Sequence, residues 1–167
     1  MIFVTVGTHE QPFNRLLNYI DNLVQKQIIT EKVFIQTGFS TYEPRFCEWS
    51  KMLSYQDMIS KISSARIVIT HGGPSSFTLP LRFNKVPIVV PRMKKYNEHV
   101  NNHQVEFVRT VSQRRGTIIV AMDLKELESS IINYSCITKN MPNGMKENNK
   151  QFINEFSKIV DNLFDYN

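Results

Sequence analysis

The chain has 167 residues, 41% of them hydrophobic and 21% charged, with a formal net charge of +5; that is one domain's length with a proper core, too short for two complete nucleotide-binding halves in tandem. No run approaches the roughly 18 apolar residues of a spanning helix, and MIFVTVG lacks the basic n-region of a signal peptide. Cys47 and Cys136 stand apart without CxxC spacing or paired histidines, which speaks against a disulfide framework or zinc site and for a reducing cytoplasm.

In chain order, short β-branched runs predict buried strands at 2–6, 33–36, 67–70, 87–90 and 117–120, with a further short strand around 46–49. Helical periodicity fills the gaps. Residues 12–27 put Leu16, Leu17, Ile20, Leu23 and Val24 on one stripe, with Pro12 in the first turn. Residues 55–64 carry Met58, Ile59 and Ile62; residues 97–112 carry Val100, Val105, Phe107 and Val108. A helix is expected again over 124–134, and a last one over 145–164, packed as an appendage beyond an Asn- and Lys-rich loop at 139–150. The alternation predicts an α/β three-layer domain spanning residues 1–167, with a mainly parallel sheet and right-handed crossovers.

Ligands of such sheets bind beyond the carboxyl ends of the strands. Gly7-Thr8-His9, Gly38-Phe39-Ser40, His71-Gly72-Gly73 and Pro91-Arg92 fall there. In ITHGGPSS, Gly72 and Gly73 allow a tight turn, and Ser75 and Ser76 are N-cap candidates for the next helix, whose N-terminus would attract phosphate. The same turn also reads as a plain structural one. Neither GxGxxG nor GxxxxGK[ST] occurs, which disfavours ordinary NAD and ATP sites.

In PRMKKYNEHVNNHQVE, Arg92, Lys94 and Lys95 suit a diphosphate, and Glu98, Asn102, His103 and Gln104 suit sugar hydroxyls. On a helix starting near Asn97, Glu98 and Asn102 would share a face. A solvated polar helix start explains the segment as well. All four histidines, His9, His71, His99 and His103, lie in these rim segments without metal-ligand spacing, so a base or a phosphate partner is expected and no metal. The positive charge is compatible with nucleic acid, but no aromatic-basic array accompanies it, and a nucleic-acid partner is not expected.

Together TVGT, the TG strand end, ITHGGPSS and NEHVNNHQVE resemble the glycosyltransferase family 28 C-terminal domain over about residues 1–128. More narrowly, the chain resembles the stand-alone donor-binding subunit of two-subunit bacterial capsule and exopolysaccharide transferases, related to the eukaryotic dolichol-linked N-acetylglucosaminyltransferase. The resemblance implies a Rossmann-like domain equivalent to the C-terminal half of a GT-B enzyme. It would be a UDP-sugar-dependent hexosyltransferase, cytoplasmic and cofactor-free, active with a membrane-anchored partner that supplies the acceptor half and recruits it to the inner membrane face. The acceptor would be a polyprenyl-diphosphate-linked saccharide. By position, His71, Gly72, Gly73, Ser75 and Ser76 match the diphosphate loop, Asn102, His103 and Gln104 the donor-sugar segment, Gly7 and Thr8 the first-strand loop, and Met52, Leu53 and Ser54 the segment beside the base. The general base would come either from the partner subunit or from this chain, where His9 is the candidate. Leu79 stands where the family carries a ribose-binding glutamate, and Pro80 disturbs that helix; either Glu98 is the substitute for the acid or donor affinity is lower. The rival expectation is a non-catalytic subunit that stabilises or activates a partner transferase.

Overall fold

The computed structural model describes residues 1–142 and Ser157; the expected helix over 145–164 and most of the 139–150 loop lie outside the described residues. Six strands form one parallel sheet: β1 (Ile2–Thr5), β2 (Val33–Gln36), β3 (Glu48–Ser50), β4 (Ile67–His71), β5 (Ile88–Val90) and β6 (Ile119–Val120). Their order is β3-β2-β1-β4-β5-β6. Chain direction across the sheet therefore reverses between β1 and β4, whose register pairs Ile2 with Ile67 and Thr5 with Thr70.

Helices α1 (Asn14–Gln25), α2 (Tyr55–Ser64), α3 (Pro74–Arg82), α4 (His103–Arg115), α5 (Leu124–Ile132) and α6 (Tyr134–Thr138) cover both faces. Strand alternation decides which face each residue meets. Ile2, Val4, Ile67, Ile69, Ile88 and Val90 pack with Leu16, Leu17 and Ile20 of α1 and Leu127 and Ile131 of α5. Phe3 and Val68 pack with Ile62 of α2, and Val89 with Phe77 and Leu81 of α3 and Val108 of α4. The result is the Rossmann-like three-layer α/β architecture that the alternating pattern predicts.

Several boundaries differ from expectation. The first helix starts at Asn14, which leaves Pro12 outside it. The edge strand is displaced to Glu48–Ser50. No helix covers residues 97–102; a single 3-10 turn at Lys94–Tyr96 ends on Asn97 in the left-handed region, at φ 55°, and α4 begins only at His103. Asparagine tolerates that conformation, and its neighbours hold the loop: Lys94 N–H donates to Asn102 Oδ1 (3.0 Å) and His103 N–H to Asn101 Oδ1 (3.1 Å). Consequently Glu98 and Asn102 share no helical face. The helix expected over 124–134 breaks at Asn133.

Candidate functional site

The loops after β1 and β4 meet at the point where strand order reverses, and His71 is the hinge between them. As the last residue of β4 it is half-buried, and its Nδ1 accepts a hydrogen bond from Gly73 N–H (3.0 Å). In the neutral ring Nε2 then carries the proton and donates to Ser76 Oγ, 2.7 Å away. Ser76 keeps its own hydroxyl proton for a further acceptor. Burial first, and the Arg92 charge second, push the His71 pKa down to about 4, with Gln104 opposing; the ring is neutral at physiological pH.

The glycines here are needed for close approach. A Cβ on Gly7 or on Gly73 would overlap the His71 imidazole, and one on Gly72 would lie 2.9 Å from Gln104 Cβ. Gly73, with an extended backbone, occupies the N-cap of α3, and Pro74 is the first helical residue. Ser75 and Ser76, expected as caps, are instead first-turn residues; Ser76 is engaged with His71.

Two carboxamides tie the rim together, that of Gln104, expected at the donor sugar, and that of Gln36, which the sequence reading did not single out. Gln36 is buried at the end of β2; its Oε1 accepts from Thr5 Oγ1 (2.7 Å) and Gly7 N–H (3.2 Å), while its Nε2 donates to Gly7 O (3.1 Å) and Lys51 O (3.0 Å). Gln104 Oε1 accepts from Gly72 N–H (3.0 Å) and Arg92 N–H (3.2 Å). The signal for Gln36 was its polarity in an otherwise apolar strand, VFIQ.

Around this frame a cleft of about 490 Å³ is lined by Gly7, Thr8, His9, Met52, Leu53, His71, Ser75 and Ser76, over a floor of Thr5, Gln36, Met58, Ile62 and Leu79. The structure thus brings together the first-strand loop, the β4 loop and the segment after β3. Gly72, His103 and Gln104 line a separate depression of about 460 Å³, together with Pro74. Ser54 lines neither; its hydroxyl caps α2 by accepting from Asp57 N–H (3.1 Å). Asn102 is engaged with the Lys94 amide.

Arg92 and Glu98 occupy positions unlike those expected. Arg92 is 1% exposed; its Nη1 donates to Gln11 O (2.7 Å) and Glu98 O (3.2 Å), its Nη2 to Val6 O (2.9 Å). Glu98 is 2% exposed and chelated by Arg15, Nε to Oε1 at 2.8 Å and Nη2 to Oε2 at 3.0 Å, while Oε2 also accepts from Met93 N–H. Both Glu98 oxygens are thus engaged by Arg15 and Met93, away from the lining of the cleft where a ribose contact was expected, and the Arg92 charge reaches the cleft in lowering the His71 and His9 pKa values. Burial lowers the Arg92 pKa to about 10, against the pull of Glu98, so it remains cationic at neutral pH. Lys94 and Lys95 are exposed.

His9 stands at the cleft edge with its ring 4.8 Å from that of His99, edge to face. Its Nε2 is buried without a hydrogen-bond partner among the described residues. Burial, then Arg92 and His99, lower its pKa below the ordinary histidine value, against a smaller opposite pull from Glu10.

The profile of the glycosyltransferase family 28 C-terminal domain matches residues 1–163. Among solved structures, the glycosyltransferase SnogD from Streptomyces nogalater superimposes with a TM-score of 0.50 at 14% identity, covering 84% of this chain and 39% of that one. The glycotransferase of kitacinnamycin gives a TM-score of 0.48 at 13% identity, covering 78% of this chain and 34% of that one. The chain thus spans well under half the length of these enzymes. No curated protein matches it significantly. Among the described residues no helix is long and apolar enough to cross a membrane.

Proposed function

The chain belongs to the glycosyltransferase family 28 C-terminal domain family, and from that membership we propose that it is the UDP-sugar-binding catalytic subunit of a hexosyltransferase. It works as the donor half of a GT-B enzyme, and a membrane-anchored partner brings the acceptor half. The acceptor is a saccharide linked through diphosphate to a polyprenol, met at the inner face of the cell membrane during capsule or exopolysaccharide synthesis. One observation carries the reading: at the strand-order reversal, Gly7, His71 and Ser76 build a cleft against the first turn of a helix, in a chain that matches this family over residues 1–163.

In this scheme the donor diphosphate takes the Ser76 hydroxyl proton and the positive end of α3, worth roughly 0.3–1 kcal/mol where exposed. Lys94, Lys95 and the buried Arg92 stabilise charge that develops on the leaving UDP. The base passes between Met52 and Leu53 and the apolar part of the floor, Met58, Ile62 and Leu79. His9, held neutral, removes the proton from the acceptor hydroxyl as that oxygen attacks the anomeric carbon from the face opposite UDP, inverting it. The anomeric carbon–phosphate oxygen bond breaks, and UDP leaves with the electron pair.

Ligand-observed NMR with UDP, ADP, GDP and CDP in competition tests this directly. Saturation transfer confined to uridine nucleotides and lost in His71→Ala is the expected result. Leu79, which lines the cleft floor where the family's acid would stand, favours a second reading, a non-catalytic subunit that activates a partner. Folded protein without any uridine signal, together with full transfer by the partner alone, decides for that one.

A further inference from the structure

A third cleft, of about 730 Å³, lies between α1 and the segment that leads into the edge strand β3, and it shares no lining residue with the donor cleft. Its size falls within the roughly 300–1,000 Å³ of small-ligand sites. The chain's only tryptophan, Trp49, half-buried against the α1 side of the core, lines it together with Phe46, which is 50% exposed. The remaining walls are mostly hydrogen-bonding side chains, Asn18, Asn22 and Gln25 from α1 and Arg45 from the opposite side.

This cleft is held rigid from beneath. Asp21, 1% exposed, accepts at Oδ2 from Tyr42 O–H and Arg45 N–H and at Oδ1 from Phe46 N–H, each 2.8 Å. Asn14 Oδ1 accepts from the Thr41 and Tyr42 amides (both 3.0 Å), and its Nδ2 donates to Thr41 Oγ1 (2.7 Å). Two side chains of one helix thereby fix the backbone of the facing wall, so a ligand need not order it on binding.

We propose that this cleft is a saccharide-binding subsite that holds a segment of the glycan; the cleft stands on its own geometry, while the choice of a glycan chain rests on the transferase reading above. Aromatic faces accept the C–H faces of pyranose rings. Planar amides and a guanidinium match the alternating donors and acceptors of neighbouring hydroxyls. Glu43 in the lining opposes a polyanion, and the scarcity of aliphatic side chains opposes an apolar helix.

Because Trp49 is the sole tryptophan, its fluorescence in the full chain reports on this cleft. Maltotetraose, chitotetraose and a β-galactotetraose are titrated separately, with glycerol at matched concentration as control. The expected result is a saturable change in emission with at least one tetrasaccharide and none with glycerol, weakened about fivefold by Asn22→Ala or by Arg45→Ala, with UDP binding by NMR unchanged in both variants. No response to any of the three, a response that glycerol reproduces, or indifference to both substitutions overturns the proposal. Loss of UDP binding in the unaltered protein alongside a positive saccharide titration removes the donor reading and leaves this cleft standing.

Discussion

Nε2 of His71 lies 2.7 Å from Oγ of Ser76, across the turn that joins β4 to α3. The imidazole orients the serine hydroxyl, and the backbone of Gly73 orients the imidazole. Ser76→Ala removes the outward donor while leaving the Gly73 contact intact, so UDP affinity should fall about five- to tenfold, as for one or more hydrogen bonds of about 1 kcal/mol. Titration calorimetry of both proteins checks this, and equal affinities would take Ser76 out of the donor site.

Gly7 faces the same ring. Its φ of 73° and the overlap that a Cβ would make with His71 act together. Gly7→Ala should cost upwards of about 1–2 kcal/mol from the backbone conformation alone and should also displace the imidazole. Denaturant unfolding measures the first effect, and UDP titration of the remaining folded protein the second.

The His71 ring also sets a pH dependence. Its pKa, near 6.5 in the unfolded chain, is about 4 in the folded protein. Between those values the unfolded state binds more protons, so this contribution is whole above about pH 6.5 and is lost as pH falls towards about 4. Its amplitude is on the order of 3 kcal/mol. Unfolding midpoints of wild type and His71→Gln between those limits should converge as pH falls; parallel curves would contradict the assignment.

Glu98 and Arg15 form a nearly buried bidentate pair, and Glu98 Oε2 also takes the Met93 amide. Glu98→Ala leaves the Arg15 guanidinium without its partner and the amide unsatisfied, with an expected cost of about 3–5 kcal/mol. If Glu98 instead bound the ribose directly, Glu98→Gln would abolish UDP binding at unchanged stability. The geometry predicts the converse: stability falls while UDP binding by the folded fraction is retained.

Gln36 joins three loop ends through one carboxamide. Gln36→Ala should lower stability by about 1–3 kcal/mol, the range for buried groups left unsatisfied. It should also loosen Gly7 and hence UDP binding. Gln36→Leu, similar in bulk but unable to bond, separates filling from hydrogen bonding: it leaves the same groups unsatisfied, so neither stability nor affinity is expected to recover.

Strand and helix identity was readable along the chain because burial on both faces of a parallel sheet leaves continuous β-branched runs, such as 33–36, which matches β2 end to end. Helix 55–64 likewise coincides with α2, since Ser54 supplies a local cap. Local signals also marked the strand ends where His71 and the glycines stand. They misjudged residues 97–102, where apolar spacing suggested a helix but asparagine side chains offer the backbone other partners. Charge was the least legible property. A sequence gives Arg92 and Glu98 their formal charges, yet whether such groups meet a ligand or one another depends on which loops the sheet order brings together. Here the loops after β1 and β5 converge, so Arg92 is enclosed by the Val6 and Gln11 carbonyls and Glu98 by Arg15, 83 residues away in sequence. The sequence alone determined an alternating α/β chain with a small, polar rim; the tertiary structure decided which rim charges face the cleft and which are buried under it, because burial makes an unpaired charge so costly that long-range partners must be found.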